Sequence, residues 1–356
     1  MKQTSLLDEE QPPDKSLNQA IQSISPHEFV EISPFLSSKI KTKIYLNPFP
    51  ELTIQVVTQL EECQSLWRKY IAPQSLFDTW EFRYAFYLGF RHEPYFLLLK
   101  DQQDQVVAML PLWYESDTKH YAWFGSWWQE DNKIFVTKRE YLPFLLEAAP
   151  SPLILNAIEA AWLEETLPNW QNFNFQLDFP KFILDLSLHH SAEEFLSCLK
   201  KKKRYNLKRD RERILAQNPQ FYFDRDSDLE MLIKLSTQRF EQKGEEASWV
   251  DPRSSESFRQ VVKLGREKKS YQVRLISVEI AGQIAAVDLV TLFNGTYSPI
   301  KCGYDVENFP GIGNFLNLFE IDDACSLNMK KIDFLEMSYG WKEKWFQGVQ
   351  LYKYQK

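Results

Sequence analysis

The order in which extended and helical segments follow one another constrains the fold of this chain more than any other sequence feature. From Leu52 the pattern predicts a strand, two helices, an antiparallel group of strands with polar turns, a helix and a further strand. From Gln220 the same order begins again, without visible residue identity between the two copies. Such a half-repeat predicts an α/β (α+β) chain of two similar domains, each with a mixed, mostly antiparallel central sheet flanked by helices.

The domain limits follow from length and local composition. The chain has 356 residues, more than one hydrophobic core usually fills. Residues 1–40 are rich in Ser, Pro, Gln and Asp and lack hydrophobic periodicity, so we predict a disordered N-terminal tail there. We predict an N-terminal domain over residues 41–188, closed by a hairpin at Phe173–Ser187, and a C-terminal domain over residues 189–356.

Composition and charge exclude several classes of protein. The net charge is −7, so the chain as a whole is not a polyanion binder and DNA is not an expected partner. The four cysteines lack disulfide or metal-site spacing and the five histidines lack an H-x-x-x-H pair, so we expect no metal. No apolar run approaches the about 18 residues of a membrane span, and the N-terminus lacks an apolar signal core. We therefore expect a cytoplasmic protein without an integral membrane segment.

A proline and two glycines stand between a predicted strand and a predicted apolar helix. The chain has only 11 glycines, yet Gly311 and Gly313 follow Pro310 at this one junction. The first turn of a helix leaves backbone N–H groups unpaired and carries partial positive charge, which suits a phosphate. The junction equally fits a plain tight turn in which glycine supplies a positive φ. Both interpretations stay open on spacing alone.

The junction and three other stretches resemble a known family. The segment Asn308–Gly313 resembles the Q/R-x-x-G-x-G/A phosphate loop of the GNAT acyltransferases, with Asn308 where Gln or Arg is usual. The wider pattern resembles the FemAB-like branch of that superfamily, which is linked to polysaccharide and cell-envelope synthesis. It rests on FLSCLKKKKRYNLKRDRERI, LISVEIAGQIAAVDLV, GYDVENFPGIGNFL and IDFLEMSYGWKEKWF. The resemblance covers most of Phe195–Phe346 and is looser over Trp80–Ala149.

The resemblance implies two tandem GNAT-like domains and an N-acyltransferase activity. The acyl group, acetyl in the simplest case, would come from acetyl-CoA or another acyl-CoA as co-substrate. It would pass to an amino group of a sugar, a sugar nucleotide or a cell-envelope or polysaccharide precursor. The implied donor-binding residues are Asn308, Gly311, Ile312, Gly313 and Asn314. Two alternatives stay open, namely a Fem-type transferase that uses aminoacyl-tRNA, and a non-catalytic binding module on the GNAT scaffold.

The strand before the loop contains a residue that cannot complete a β-ladder. Pro299 has no N–H to donate, so it predicts a sheet edge or a bulge. In GNAT folds, a bulge at this strand splays it from the next strand and opens an edge to the pantetheine arm of the donor. The resemblance therefore predicts a splayed pair of strands on either side of the loop helix.

A strongly basic segment precedes the second copy of the pattern. Lys200–Arg213 carries nine basic residues, and a single helix over residues 195–214 would place an apolar stripe on one side. Lys203 and Asp210 fall inside that stripe. The segment is either a solvated face beside an ordinary packed stripe, or a platform for an anion such as a sugar nucleotide, CoA or tRNA. Under the second interpretation Lys203 and Arg204 contact the ligand.

Four residues near the ends of the central strands are candidates for the chemistry. Asp305 would bind the acceptor amine or accept its proton, unless it only forms the turn before Val306. Tyr304 and Tyr339 would relay or donate a proton, unless they only pack in the core. Glu336 would reach the cleft from the end of a strand, unless it is simply solvated.

Two further groups are candidates for contacts with the substrate. Trp127, Trp128 and Asp131 lie in GSWWQEDNKIF, where tryptophans could stack on a carbohydrate and a carboxylate could bind hydroxyls. Core packing explains the same tryptophans equally well. Lys342 and Lys344 in GWKEKWF resemble basic positions of the family that touch phosphate, and a solvated face is the alternative.

Overall fold

The computed structural model describes residues 51–126, 128–167, 169–245, 247–337 and 340–356, which form a mixed α/β fold. The predicted tail, residues 1–40, lies outside the described residues. The strands are β1 Thr53–Val57, β2 Glu93–Lys100, β3 Val106–Glu115, β4 His120–Trp123, β5 Phe135–Val136, β6 Ile154–Glu159, β7 Phe175–Leu177, β8 Lys181–Asp185, β9 Gln220–Phe223, β10 Gln272–Ile280, β11 Gln283–Phe293, β12 Thr296–Tyr304, β13 Lys331–Glu336, β14 Gln347–Val349 and β15 Leu351–Gln355. The helices are α1 Leu60–Tyr70, α2 Trp80–Phe90, α3 Tyr141–Ala148, α4 Ala160–Thr166, α5 Ala192–Cys198, α6 Lys201–Leu215, α7 Leu229–Gln242, α8 Pro252–Lys268 and α9 Ile312–Ser326.

The predicted half-repeat is confirmed by the order of these elements. The run β1-α1-α2-β2-β3-β4-α3-β6 has the same sequence of strands and helices as β9-α7-α8-β10-β11-β12-α9-β13. The first copy contributes a sheet ordered β1-β2-β3-β4 with β5 beside β3, and the second lies in a seven-stranded sheet ordered β14-β8-β13-β12-β11-β10-β9. Both sheets are mostly antiparallel and have helices packed on them, as the predicted fold class requires.

Each half of the chain gives one strand to the other half. Strand β8 precedes residue 189 and pairs with β13 and β14, whereas β15 at the C-terminus pairs with β6 and β7 in a three-stranded sheet. The predicted hairpin at Phe173–Ser187 is therefore wrong, because its two strands belong to different sheets. An isolated two-stranded hairpin is marginally stable, so each strand is better stabilised inside a larger sheet. The domain boundary between residues 188 and 189 stays a prediction.

The two halves share a hydrophobic core through α2 and α8. Residues of the first sheet, such as Phe96, and of the second sheet, such as Leu275, belong to one continuous buried cluster with Phe86 and Phe258. Gly89 in α2 lies so close to α8 that an added Cβ would be 2.2 Å from Ser257 Oγ. A glycine is needed there because any side chain would push the two helices apart. The halves are therefore held in one fixed relation.

The basic segment forms most of α6, the second helix of the pair α5 and α6 that packs on α9. The predicted single helix over residues 195–214 is wrong, since α5 ends at Cys198 and Leu199 is extended, with ψ of 152°. Four consecutive lysines at the start of a helix oppose its dipole, and the break lets α5 and α6 pack separately on α9. Arg204 Nη1 donates to Ser197 O at 2.9 Å and so satisfies a carbonyl at the end of α5.

Because β15 pairs with strands of the first half, we expect its buried side chains to contribute to the stability of the whole chain. Leu351 is fully buried in the middle strand of the three-stranded sheet. Leu351→Ala should lower the free energy of unfolding by about 2–5 kcal/mol, because it leaves a cavity between the two halves of the chain. Leu188→Ala is the matched control, since this leucine is 71% exposed and should change stability by no more than about 0.5 kcal/mol. Urea denaturation followed by circular dichroism measures both. Equal effects would show that β15 is only loosely attached.

Candidate active site between the two halves

The central feature of the site is an opening between β12 and β13. In the described part of the chain these parallel strands pair at only two positions, Thr296 with Lys331 and Tyr297 with Ile332. Opposite Leu289 and Val290 the register of β12 shifts, so that Ile300 is an extra residue between Pro299 and Lys301. The predicted bulge at Pro299 is confirmed. The bulge bends β12 away from β13 and re-aims the side chains that follow it.

A loop from the first half reaches this opening and is held by a buried arginine. Arg83 is 2% exposed and donates from Nε to Phe77 O at 2.5 Å, from Nη1 to Phe124 O at 3.0 Å and from Nη2 to Asn132 Oδ1 at 2.7 Å. Asn132 Nδ2 in turn donates to Gln129 O at 2.8 Å. Burial lowers the pKa of Arg83 to about 10, which still leaves it charged at neutral pH. One side chain thus fixes the loop over residues 124–132 at both ends.

The loop, β12, β13 and the turn at Lys342–Lys344 bring four charged side chains together, which we call the split cluster: Glu130, Lys301, Glu336 and Lys342. Glu130 Oε2 accepts a hydrogen bond from the backbone N–H of Glu336 at 2.6 Å. Lys301 Nζ, directly after the bulge, lies 3.8 Å from the ring centroid of Trp128. Lys342 Nζ donates to Phe334 O at 2.5 Å and to Glu336 O at 2.7 Å, which ties it to the open edge of β13. Both halves of the chain are needed to complete the split cluster.

Burial shifts the pKa values of three of these groups, Glu130, Glu336 and Lys301, in the direction that favours the uncharged form. It raises the pKa of Glu130 to about 7, although the nearby Lys342 ammonium works in the opposite direction. Burial and the adjacent Glu130 raise the pKa of Glu336 to about 10. Burial lowers the pKa of Lys301 to about 8. Glu130 can therefore exchange a proton near pH 7, while Glu336 holds one and Lys301 is mostly charged.

The glycine junction forms the first turn of α9, and packing explains both glycines. Gly311 has φ of +97°, and a Cβ there would be 2.9 Å from Cβ of Asp210. A Cβ on Gly313 would be 3.0 Å from the ring of Tyr304. Both positions therefore require glycine whether or not a ligand binds. These contacts support the tight-turn interpretation. The anion interpretation then depends on the backbone amides alone, since the glycines are already explained by packing.

The amides of the junction fit a diphosphate, but one neighbouring side chain does not. Among the described residues, the N–H groups of Gly313 and Asn314 have no hydrogen-bond partner, while that of Ile312 donates to Phe309 O at 3.1 Å. Two free N–H groups at a helix start are suited to a phosphate oxygen. The Asp210 carboxylate lies beside them and accepts from Asn314 Nδ2 at 2.8 Å. A phosphate would therefore meet amide donors and one negative charge.

Of the predicted catalytic residues, only Glu336 lies in the split cluster. Asp305 accepts from Asn308 N at 3.0 Å and from Asn308 Nδ2 at 2.8 Å, which is the turn-forming role considered as its alternative. Tyr304 is buried and its hydroxyl donates to Asp288 Oδ2 at 3.0 Å. Tyr339 lies outside the described residues.

The predicted substrate-binding residues are divided between three places. Lys342 belongs to the split cluster, and Trp128 lies there with one face against Lys301. Asp131 is buried in a pocket next to it. Lys203 lies 4.8 Å from the ring centroid of Trp345, close to the exposed Lys344, on the α6 side of the molecule. Arg204 binds the end of α5 as described above, and Trp127 lies outside the described residues.

The residues that sequence reasoning missed share one signal. Lys301, Arg83 and the buried acids Asp288 and Glu320 are each a charged residue inside an otherwise apolar or aromatic run. A charge is rarely placed in such a run unless tertiary structure supplies a partner. A charged residue in an apolar or aromatic run predicts that its side chain has a partner in the folded protein. Only the tertiary structure shows which residue that partner is.

Two of these missed residues form a buried acid pair between β11 and α9. Asp288 and Glu320 are both fully buried and their carboxyl groups interact, while neither Oε atom of Glu320 has a hydrogen-bond partner among the described residues. Tyr304 and Cys302 face Asp288 from β12, and Arg239 faces it from α7. Burial raises the pKa of Asp288 to about 7 and raises the pKa of Glu320 far above its usual range. The pair therefore shares a proton at neutral pH.

Among the described residues, no helix is both long enough and apolar enough to span a bilayer. Within the same residues, no group of three or more His, Cys, Asp and Glu side chains is arranged to hold a metal ion.

The acid pair predicts a pH dependence of stability. A carboxyl whose folded pKa is raised binds its proton more tightly in the folded state, so stability falls as pH rises from about 4 toward 7. Asp288→Asn should flatten this fall and stabilise the protein at pH 8 relative to pH 5, by a difference on the order of 3 kcal/mol. Urea unfolding at a series of pH values measures it. The exposed Asp104→Asn is the control and should keep the wild-type slope. An unchanged slope in Asp288→Asn would contradict the shared proton.

Comparison with known proteins agrees with this geometry. Residues 201–343 match the family model described as an acetyltransferase (GNAT) domain, a stretch that runs from the start of α6 to Glu343. No curated protein matches the chain. Among solved structures, a conserved protein of unknown function from Bacteroides thetaiotaomicron VPI-5482 is 12% identical, with 85% of this chain and 99% of that chain covered and a TM-score of 0.56.

Two further solved structures share the fold over nearly the same length. FemX is 10% identical, with 85% of this chain and 97% of that chain covered and a TM-score of 0.55. The structure of L-PGS from Bacillus licheniformis is 11% identical, with 84% of this chain and 92% of that chain covered and a TM-score of 0.50. At such identities the likeness shows the fold alone. The chain thus has a fold similar to that of FemX, and residues 201–343 match a GNAT acetyltransferase domain.

Proposed function

We propose that this chain transfers an acyl group to an amine in the opening between β12 and β13. The observation that carries the proposal is the contact of Glu130, from the first half, with the backbone of Glu336 in the second half. This contact places a carboxylate with a pKa of about 7 at the open edge of a splayed strand, with Lys301 on the facing strand. The match of residues 201–343 to a GNAT acetyltransferase domain supports the same class of reaction.

The split cluster supplies what acyl transfer to an amine requires. An amine attacks only in its uncharged form, and Glu130 can take up its proton near neutral pH. The amine nitrogen then forms a bond to the acyl carbon while the bond from that carbon to the leaving group breaks. The ammonium of Lys301 beside the bulge stabilises negative charge on the acyl oxygen as this happens. The leaving group takes the proton that the nitrogen loses as the amide forms, and Glu130 returns the acceptor's first proton to solvent.

We propose acyl-CoA as the donor, with the free amides of Gly313 and Asn314 holding its diphosphate. When bound, the donor supplies the acyl group as an activated thioester. The acceptor classes implied by the FemAB-like resemblance, an amino sugar, a sugar nucleotide or a cell-envelope precursor, are part of this proposal, as is a cytoplasmic site of action. Such precursors carry amino groups that a base with a pKa near 7 can deprotonate.

A second candidate function is favoured by one specific contact. Asp210 lies against Gly311 and binds Asn314, so a carboxylate already sits beside the amides where a diphosphate would bind. On the same helix, α6 presents a dense set of basic residues. An aminoacyl-tRNA donor would use the basic face and would leave the junction empty of phosphate. The fold shared with FemX is compatible with this alternative.

The role of Glu130 can be tested with a conservative variant. Glu130→Gln keeps an acceptor oxygen for the backbone of Glu336 but removes the base, so kcat should fall by about 100- to 10,000-fold. The wild-type kcat/KM should rise with pH through about 7, where the base form of Glu130 appears, and fall above about pH 8, where Lys301 loses its charge. The exposed Glu165→Gln is the matched control. Release of free CoA thiol from acetyl-CoA measures both. Full activity in Glu130→Gln would contradict the mechanism.

A variant of Asp210 distinguishes between the two candidate donors, acyl-CoA and aminoacyl-tRNA. Asp210→Asn removes a negative charge beside the junction, so acetyl-CoA should bind about tenfold more tightly to this variant than to wild type. Glu212→Gln is the matched control, because it removes an exposed acid from the same helix. Thermal shift with acetyl-CoA measures the change. If neither protein binds acetyl-CoA while aminoacyl-tRNA supports transfer, the second candidate is correct. If neither donor binds, the chain is a non-catalytic binding module.

A further inference from the structure

A polar pocket lies between the two halves, next to the split cluster. Its volume is about 210 Å³, which is several times the share of one water in the liquid, about 30 Å³. Ser75, Asp131 and Lys133 line it from the first half, and Ser298, Lys331 and Asp333 line it from the second. The pocket is therefore large enough for a small polar molecule.

The pocket contains an acid with one carboxyl oxygen that lacks a hydrogen-bond partner in the described part of the chain. Asp131 is 8% exposed, and its Oδ1 is buried without a hydrogen-bond partner among the described residues. The nearest ammonium, that of Lys133, is 3.8 Å away, beyond hydrogen-bond distance. A buried carboxylate oxygen left in this state is costly unless a ligand supplies a donor. Asp131 therefore indicates a ligand with a cationic or N–H group.

The opposite wall of the pocket carries a cation. The Lys331 ammonium has no ion-pair partner among the described residues and lies on β13, at the paired end of the opening. The carboxylate of Glu159, which also lines the pocket, hydrogen-bonds to the buried Lys181, and that of Asp333 lies 3.9 Å from the same ammonium. Among the described residues that line the pocket, Asp131 Oδ1 thus lacks a hydrogen-bond partner and the Lys331 ammonium lacks an ion-pair partner.

We propose that this pocket binds a zwitterionic α-amino acid group of the acceptor, its ammonium on Asp131 and its carboxylate on Lys331. A molecule with one charge of each sign satisfies both walls, whereas a singly charged molecule leaves one wall unpaired. The inference rests on the proposed function, since it names the substrate class of the same site.

The pocket is placed to deliver its ligand to the split cluster. Asp131 is the residue after Glu130, Ser298 precedes the bulge by two residues, and Asp333 precedes Glu336 by three. Three of the four chain segments that build the split cluster therefore continue into the pocket. An amine held at Asp131 is one residue away, along the chain, from the proposed base.

The proposal is tested by binding alone, without an acyl donor. Saturation-transfer NMR on the full chain uses L-alanine, L-lysine and L-phenylalanine as probes, and at least one should bind. Its primary amide, which lacks the carboxylate, and its 2-hydroxy acid analogue, which lacks the ammonium, should each bind about tenfold more weakly. No binding of any of the three, or equal binding of all analogues, overturns the proposal.

Two variants test which side chain of the pocket binds the ammonium of the ligand and which binds its carboxylate. Asp131→Asn should weaken the amino acid about tenfold and leave the 2-hydroxy acid unchanged, and Lys331→Gln should weaken the amino acid and leave the amide unchanged. Asp104→Asn is the matched surface control and should bind like wild type. Tighter binding of D-glucosamine than of any amino acid would overturn the choice of ligand. Amino acid binding without acyl transfer supports the pocket and contradicts the proposed function, so the two failures are distinguishable.

Discussion

The packing of α2 against α8 is the interaction on which the rest of this structure depends. The two helices belong to different halves, and they approach so closely that only glycine fits at position 89. Arg83 lies on α2 and binds the loop that carries Glu130, while Phe258 on α8 packs beneath the ring of Trp128. A shift between the helices would therefore move Glu130 relative to the open edge of β13. The split cluster exists because the core beneath it is continuous and rigid.

The bulge in β12 creates the opening in which the split cluster lies. A regular β12 would have paired with β13 along its whole length and filled the opening with a ladder. Pro299 cannot complete the ladder, and the extra residue Ile300 bends the strand so that Lys301 faces the other half of the chain. The charges placed there are costly to bury, and their shifted pKa values are the direct result of that cost.

The junction at the start of α9 shows how one sequence pattern can serve two purposes. Its glycines are explained by contacts with Asp210 and Tyr304, yet the amides they expose remain suited to a phosphate. Tyr304 also reaches Asp288 and through it Glu320 on α9. The loop, the helix behind it and the buried acid pair thus form one packed unit.

The sequence by itself determined the order of strands and helices, the half-repeat and the bulge at Pro299, because hydrophobic periodicity and the missing N–H of proline act locally. It also indicated Glu336 and Lys342, since both lie in the stretch that resembles GNAT proteins. Only the tertiary structure decided that β8 and β15 change sheets and that Lys301 meets Glu130. Those outcomes depend on contacts between residues more than 100 positions apart, and partner choice at that distance is set by packing and burial rather than by the local pattern.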